Sequence, residues 1–180
     1  MLVGDGWAFI HVPKCGGTAV RSVLSGTEVG KVRPMGNCWP DHSPWHRIDW
    51  IRPRGRVFCM VRRPADWIRS YWTDQSPERV GAARYLHRFW DDDLNVFVAN
   101  LCAGHPGYVS ALYREYTRYP NTRVFRIEDG LAGALNWATG QDYDAPRINA
   151  SGTPAWLNAR SRQLVEESEQ CAIEKYGYGQ

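Results

Sequence analysis

The residues best equipped for chemistry open the chain, in the string Phe9-Ile10-His11-Val12-Pro13-Lys14-Cys15-Gly16-Gly17-Thr18. Two adjacent glycines let a backbone turn sharply and approach a ligand closely. Amides at the start of a helix form an anion site, and Lys14 adds a full positive charge on a flexible stem. This chemistry suits phosphate or a similar oxyanion. Further on, Arg62 and Ser70 could add a guanidinium and a hydroxyl donor for a second oxyanion. His42 and His46 lie between these two sets. An unperturbed imidazole titrates near about pH 6.5, so either could accept a hydroxyl proton at neutral pH.

Elements must hold these groups. The apolar run into Pro13, the glycines and the segment Ala19–Leu24 read as strand, tight loop and helix, the strand starting almost at Met1. A second strand is expected around Glu28–Val32. Pro34 to Pro53, rich in Pro, Trp and His, reads as an ordered loop. Arg56–Val61 is a near-continuous apolar run, the pattern of a buried parallel strand. It ends in Arg62-Arg63-Pro64, with a helix from Ala65 to about Thr73 and Pro64 near its first turn. Ser76 to Trp90 reads as helical. Asp93 is placed to cap a helix over Leu94–Cys102. Tyr108–Tyr119 is expected to be helical, Arg123–Ile127 a strand, Asp129–Thr139 a helix and Arg160–Tyr176 an amphipathic closing helix. Strands alternating with helices predict an α/β fold, a single domain over 1–180 with a central parallel sheet and helices on both faces.

The loop is not a Walker A loop, in which the lysine follows the glycines and a Ser/Thr holds magnesium. The string His-Val-Pro-Lys-Cys-Gly-Gly-Thr resembles the 5′-phosphosulfate loop of sulfotransferases that use 3′-phosphoadenosine 5′-phosphosulfate (PAPS). The carbohydrate (Golgi-type) and bacterial branches are the most similar. Arg62-x-Pro64-x5-Ser70-x-Trp72 resembles that family's 3′-phosphate motif in order and spacing, with Trp72 where a tyrosine is usual and Tyr71 beside it. The resemblance implies a P-loop-like fold, PAPS as donor and adenosine 3′,5′-bisphosphate as product. It also implies in-line sulfuryl transfer to an alcohol, sugar, phenol or amine. Pro13, Lys14, Cys15, Gly16, Gly17 and Thr18 would hold the phosphosulfate, with Cys15 contributing backbone. Arg62 and Ser70 would hold the 3′-phosphate. In Asp41-His42-Ser43-Pro44-Trp45-His46, His42 matches the family's proposed base, Asp41 standing for the usual glycine; His46 is the competitor. Two weaker likenesses follow: Arg126-Ile127-Glu128-Asp129 to a late strand ending in an acidic residue, and Arg147-Ile148-Asn149-Ala150-Ser151 to an N-x-S segment near the cofactor. Trp39, Trp45 and Trp50 are open between an acceptor platform and loop packing.

Composition narrows the field. The 180-residue chain has net charge +3, and all its cations but Lys14, Lys31 and Lys175 are arginines. Arginine suits bidentate contact with oxyanions. Cys15, Cys38, Cys59, Cys102 and Cys171 form no CxxC pair. That pattern disfavours zinc or a disulfide scaffold and favours reduced thiols in the cytoplasm. No signal peptide fits the start, and no apolar run reaches the roughly 20 residues of a membrane span, unlike membrane-anchored Golgi enzymes. A metal-dependent P-loop kinase is the first alternative, but its strand should end in an acidic residue that orders magnesium. Here that strand ends in two arginines, and Asp91-Asp92-Asp93 reads as a solvated helix start. No metal is therefore expected. The second alternative is a non-catalytic nucleotide or nucleic-acid binder, which no basic run supports.

Overall fold

The pair Asp5-Gly6 decides the antiparallel side of the sheet. In this computed structural model, which describes residues 2–25, 33–34, 55–74, 85–144 and 156–179, the chain opens as a hairpin. Strand β1 (Leu2–Gly4) pairs antiparallel with β2 (Trp7–Ile10), Gly4 opposite Trp7. Gly6 takes φ 73°, a left-handed value that a residue without Cβ adopts freely. The indole of Trp7 occupies the place of any side chain on Gly4.

Strand β3 (Arg33–Pro34) pairs antiparallel with β1, while β2, β4 (Arg56–Val61) and β5 (Thr122–Arg126) run parallel, giving the order β3-β1-β2-β4-β5. The α/β class is as expected. The wholly parallel sheet is not: a two-residue turn can only join antiparallel strands, since a parallel crossover needs about a dozen residues. In place of the single opening strand expected there are two, and the sheet is mixed. The expected strand at Glu28–Val32 lies outside the described residues, as does nearly all of the loop to Pro53.

The parallel centre is dry. Every residue from Val57 to Val61 is 4% exposed or less, as a strand covered on both faces requires. Phe58 meets its register partner Phe9 at 5.0 Å and Phe125 edge-on at 6.3 Å. This sheet, with α1 (Gly17–Ser25) and α5 (Ala132–Thr139), belongs to a compact unit of Met1–Arg62 and Tyr113–Ala150. Helix α5 packs on β2 and β4.

Arg63–Leu112 and Ser151–Gln180 form a second, helical unit. It holds α2 (Pro64–Asp74), a 3-10 turn at Tyr85–Phe89, α3 (Leu94–Gly104), the start of α4 (Tyr108–Thr117), α6 (Ala159–Ser168) and α7 (Gln170–Lys175). Asp93 caps α3 as its position predicts, Oδ1 accepting from the Asn95 amide at 2.7 Å. Tyr71 stacks with Trp67 and Phe97, and Trp72 stacks on Trp90 while donating to the Asp91 carbonyl at 2.9 Å. Both aromatics of the second motif thus serve packing of the helical unit.

The closing helix, expected to be continuous, breaks at Glu169. This side chain is 2% exposed. Its carboxylate accepts from the Val109 amide (3.0 Å) and from the Ser110 amide and hydroxyl (both 2.7 Å). It thereby satisfies the first turn of α4, whose amides lack intrahelical acceptors. Ser110 Oγ in turn accepts from the Ala172 amide at 3.1 Å, tying down the start of α7. Burial raises the Glu169 pKa above the ordinary 4.5, against the lowering effect of Ser110 and the two amides. A raised folded value means the folded protein holds this proton longer than the unfolded chain does. Stability from this group therefore falls as pH rises from 4.5 through the folded value, and the loss is complete above it. Glu169→Ala is expected to cost about 2–4 kcal/mol, one buried and two half-buried donors losing their acceptor. Urea unfolding at several pH values checks both parts: the gap between wild type and variant should be widest at acid pH and shrink as pH rises. A gap under about 0.5 kcal/mol, within the range of ordinary surface substitutions, would remove Glu169 from this role.

Candidate functional site

Between β2 and α1 the chain makes a tight, strained loop. Val12 donates to the Ile10 carbonyl at 3.1 Å and Cys15 to that of Val12 at 3.3 Å. Lys14 has φ 63° and Gly16 φ 81°. The two glycines serve different needs. Gly16 is left-handed, and a Cβ there would stand 2.9 Å from Ile127 Cδ1. Gly17 has the His11 imidazole where its Cβ would be, and that ring stacks on Phe9 at 5.8 Å. The first-turn amides of α1, from Gly17 and Thr18 onward, have no intrahelical acceptor, and Thr18 is exposed. Lys14 is no glycine, so its left-handed backbone costs roughly 1–2 kcal/mol. Strain of this kind concentrates at ligand clamps.

Arg62 leaves the carboxyl end of β4, the neighbour of β2. One of its terminal guanidinium nitrogens donates to the Lys14 carbonyl at 3.5 Å. The Arg62 side chain thus reaches the backbone of the lysine loop, at the carboxyl ends of adjacent parallel strands, where open α/β sheets bind ligands. Tyr113, fully buried in α4, ties them together. Its hydroxyl accepts from the Arg62 amide at 3.1 Å, donates to the Arg62 carbonyl at 2.6 Å, and takes the weak Cys15 thiol donor at 3.8 Å. Tyr113 belongs to no motif in the sequence. It lies 51 residues from Arg62 and 98 from Cys15, and a tyrosine on an amphipathic helix carries no local signal of such a role.

Cys15 itself is fully buried, which pushes its thiol up to about 12 despite the Tyr113 hydrogen bond and the Arg62 charge. It is a neutral thiol at physiological pH, in keeping with a backbone role. The carboxylate of Glu128, just past β5, also raises it, so the end of the third parallel strand bears on the same loop. There Arg126 forks onto Asp129, Nε–Oδ2 and Nη2–Oδ1 both at 2.8 Å.

Lys14, Cys15, Gly16, Gly17 and Arg62 are thus brought to one place, with Pro13 and Thr18 in the same loop. Ser70 belongs to the other unit, half-buried in the second turn of α2. His42, His46, Trp39, Trp45, Trp50 and Arg147–Ser151 lie outside the described residues. In the acidic run, Asp93 is used as the cap and Asp91 Oδ1 accepts from the Asp93 amide at 2.8 Å. Among the described residues no three His, Cys, Asp or Glu side chains are grouped to hold a metal, and no helix is long and apolar enough to cross a membrane. Comparison with protein-family models, curated proteins and solved structures finds no match to this chain.

Proposed function

We propose that this chain is a sulfotransferase moving a sulfuryl group from PAPS to a hydroxyl or amine. The observation that carries the reading is the meeting of the Lys14 loop and Arg62 at the ends of adjacent parallel strands. Two oxyanion-binding groups there suit a nucleotide with phosphates at both ends of its ribose, and the strained, glycine-hugging loop suits close backbone approach to one of them. The donor supplies an activated sulfuryl group on a nucleotide leaving group. Lys14 and the first-turn amides of α1 would neutralise the charge that develops on the leaving oxygen. Arg62 and Ser70 would fix the 3′-phosphate, and His42 would take the acceptor's proton as the new O–S or N–S bond forms. Positioning and charge neutralisation would do most of the catalysis, as in phosphoryl transfer. A P-loop-like version of the α/β fold, a metal-free reaction and a cytoplasmic setting belong to this same proposal.

Transfer of labelled sulfate from PAPS to a panel of alcohols, phenols, sugars and amines tests the activity. The nucleotide site has its own test. Losing a charged phosphate contact should cost about 1.5–3 kcal/mol, so calorimetry without magnesium should find adenosine 3′,5′-bisphosphate bound roughly 10–150-fold more tightly than AMP. Equal affinities would remove Arg62 and Ser70 from the 3′-phosphate.

A further inference from the structure

The helical unit contains a cavity of about 560 Å³ between the first turns of α2, the segment entering α6 and the C-terminal residues. That size suits a small molecule. Its charged lining sets three guanidiniums, Arg63, Arg69 and Arg162, against two carboxylates, Asp66 and Glu166. Asp66 is already engaged, Oδ1 lying 2.9 Å from Arg69 Nη2. Arg69 Nε is buried with no hydrogen-bond partner among the described residues, a costly state for a charged donor. Arg162 gives its Nε to the Leu157 carbonyl at 2.9 Å, and its terminal nitrogens have no acceptor among the described residues.

Aromatic surface borders these donors. Trp156 is 70% exposed, the most exposed large apolar side chain among the described residues. Tyr178 presents its ring to the Arg63 guanidinium, 5.9 Å from the centroid. Among the described residues, guanidinium nitrogens without an acceptor thus stand beside an exposed indole, a combination that suits an aromatic oxyanion. We infer that this cavity binds a small aromatic oxyanion. Its ring stacks on Trp156, and its carboxylate, sulfate or phosphate accepts from Arg69 and Arg162. The site uses none of the residues assigned to the nucleotide and does not depend on that assignment.

The test is calorimetry on the full chain with phenyl phosphate as probe, in wild type and in Lys14→Ala. Phenyl phosphate should bind both equally. Arg69→Met, Arg162→Met and Trp156→Ala should each weaken it at least roughly tenfold. Trp156 is exposed, so its removal leaves the fold intact and keeps the test valid if an arginine variant fails to fold. Inorganic phosphate, phenol and glucose 6-phosphate should each bind at least roughly tenfold more weakly than phenyl phosphate. Absence of binding, or unchanged affinity in Trp156→Ala, overturns the proposal. So does loss of affinity in Lys14→Ala, which would place the anion in the loop instead. Equal binding of inorganic phosphate or glucose 6-phosphate overturns it too, because the aromatic ring would then be irrelevant.

Discussion

Lys14→Ala is expected to lower sulfuryl transfer about 100–1,000-fold, the usual loss when one preorganised stabiliser of developing charge is removed. Its backbone is held between the Val12–Cys15 turn and the Arg62 guanidinium, so truncating the side chain leaves the loop's path in place. Melting should therefore stay near wild type while turnover collapses. The left-handed backbone adds an internal control. Lys14→Gly removes the same side chain but also relieves the φ 63° conformation. It should be as inactive as Lys14→Ala and melt no lower, because relief of left-handed strain offsets glycine's extra unfolded-state entropy. Near-normal turnover in both variants would show that the loop is not the catalytic centre. An inactive Lys14→Ala that is also unfolded would leave the Lys14→Gly variant to decide.

His42→Ala is expected to cost about 100–10,000-fold in turnover, the range for a general base, with nucleotide affinity unchanged. The choice of His42 over His46 rests on the His-x-Pro resemblance, in which Pro44 would stiffen the chain just after His42. His46→Ala should do less and mainly raise the acceptor KM. An imidazole base works only while neutral, so the wild-type rate should fall as pH drops through about 6.5, and His42→Ala should lose that acid limb. If His46→Ala is the inactive variant and His42→Ala keeps the limb, the roles are reversed. Should both variants stay active, neither histidine is the base.

What could be read from the chain follows the range of the interactions involved. Val57–Val61 was legible as a buried strand because burial on both faces writes itself into consecutive apolar residues. Asp93 was legible because a cap acts within two residues of itself. The Asp5-Gly6 hairpin carried a usable turn signal, but the apolar residues on either side masked it as one strand. Glu169 was not legible: its periodicity continues the helix, and only the distant amides of Val109 and Ser110 make it a break. Lys14 and Arg62 stood out through their motifs, whereas Tyr113, which bonds to the backbone of one and the neighbour of the other, has no motif to betray it.

The Tyr113 contact also has a time axis. A chain stopped at Leu112 holds both the lysine loop and Arg62 but lacks the phenol that ties them. Synthesis runs at about 5–20 residues per second, so the 51 residues from Arg62 to Tyr113 take roughly 3–10 seconds to make. For that interval the lysine loop and Arg62 exist on the nascent chain without their tether. The segment Arg63–Leu112, which belongs to the helical unit, is made within that same interval.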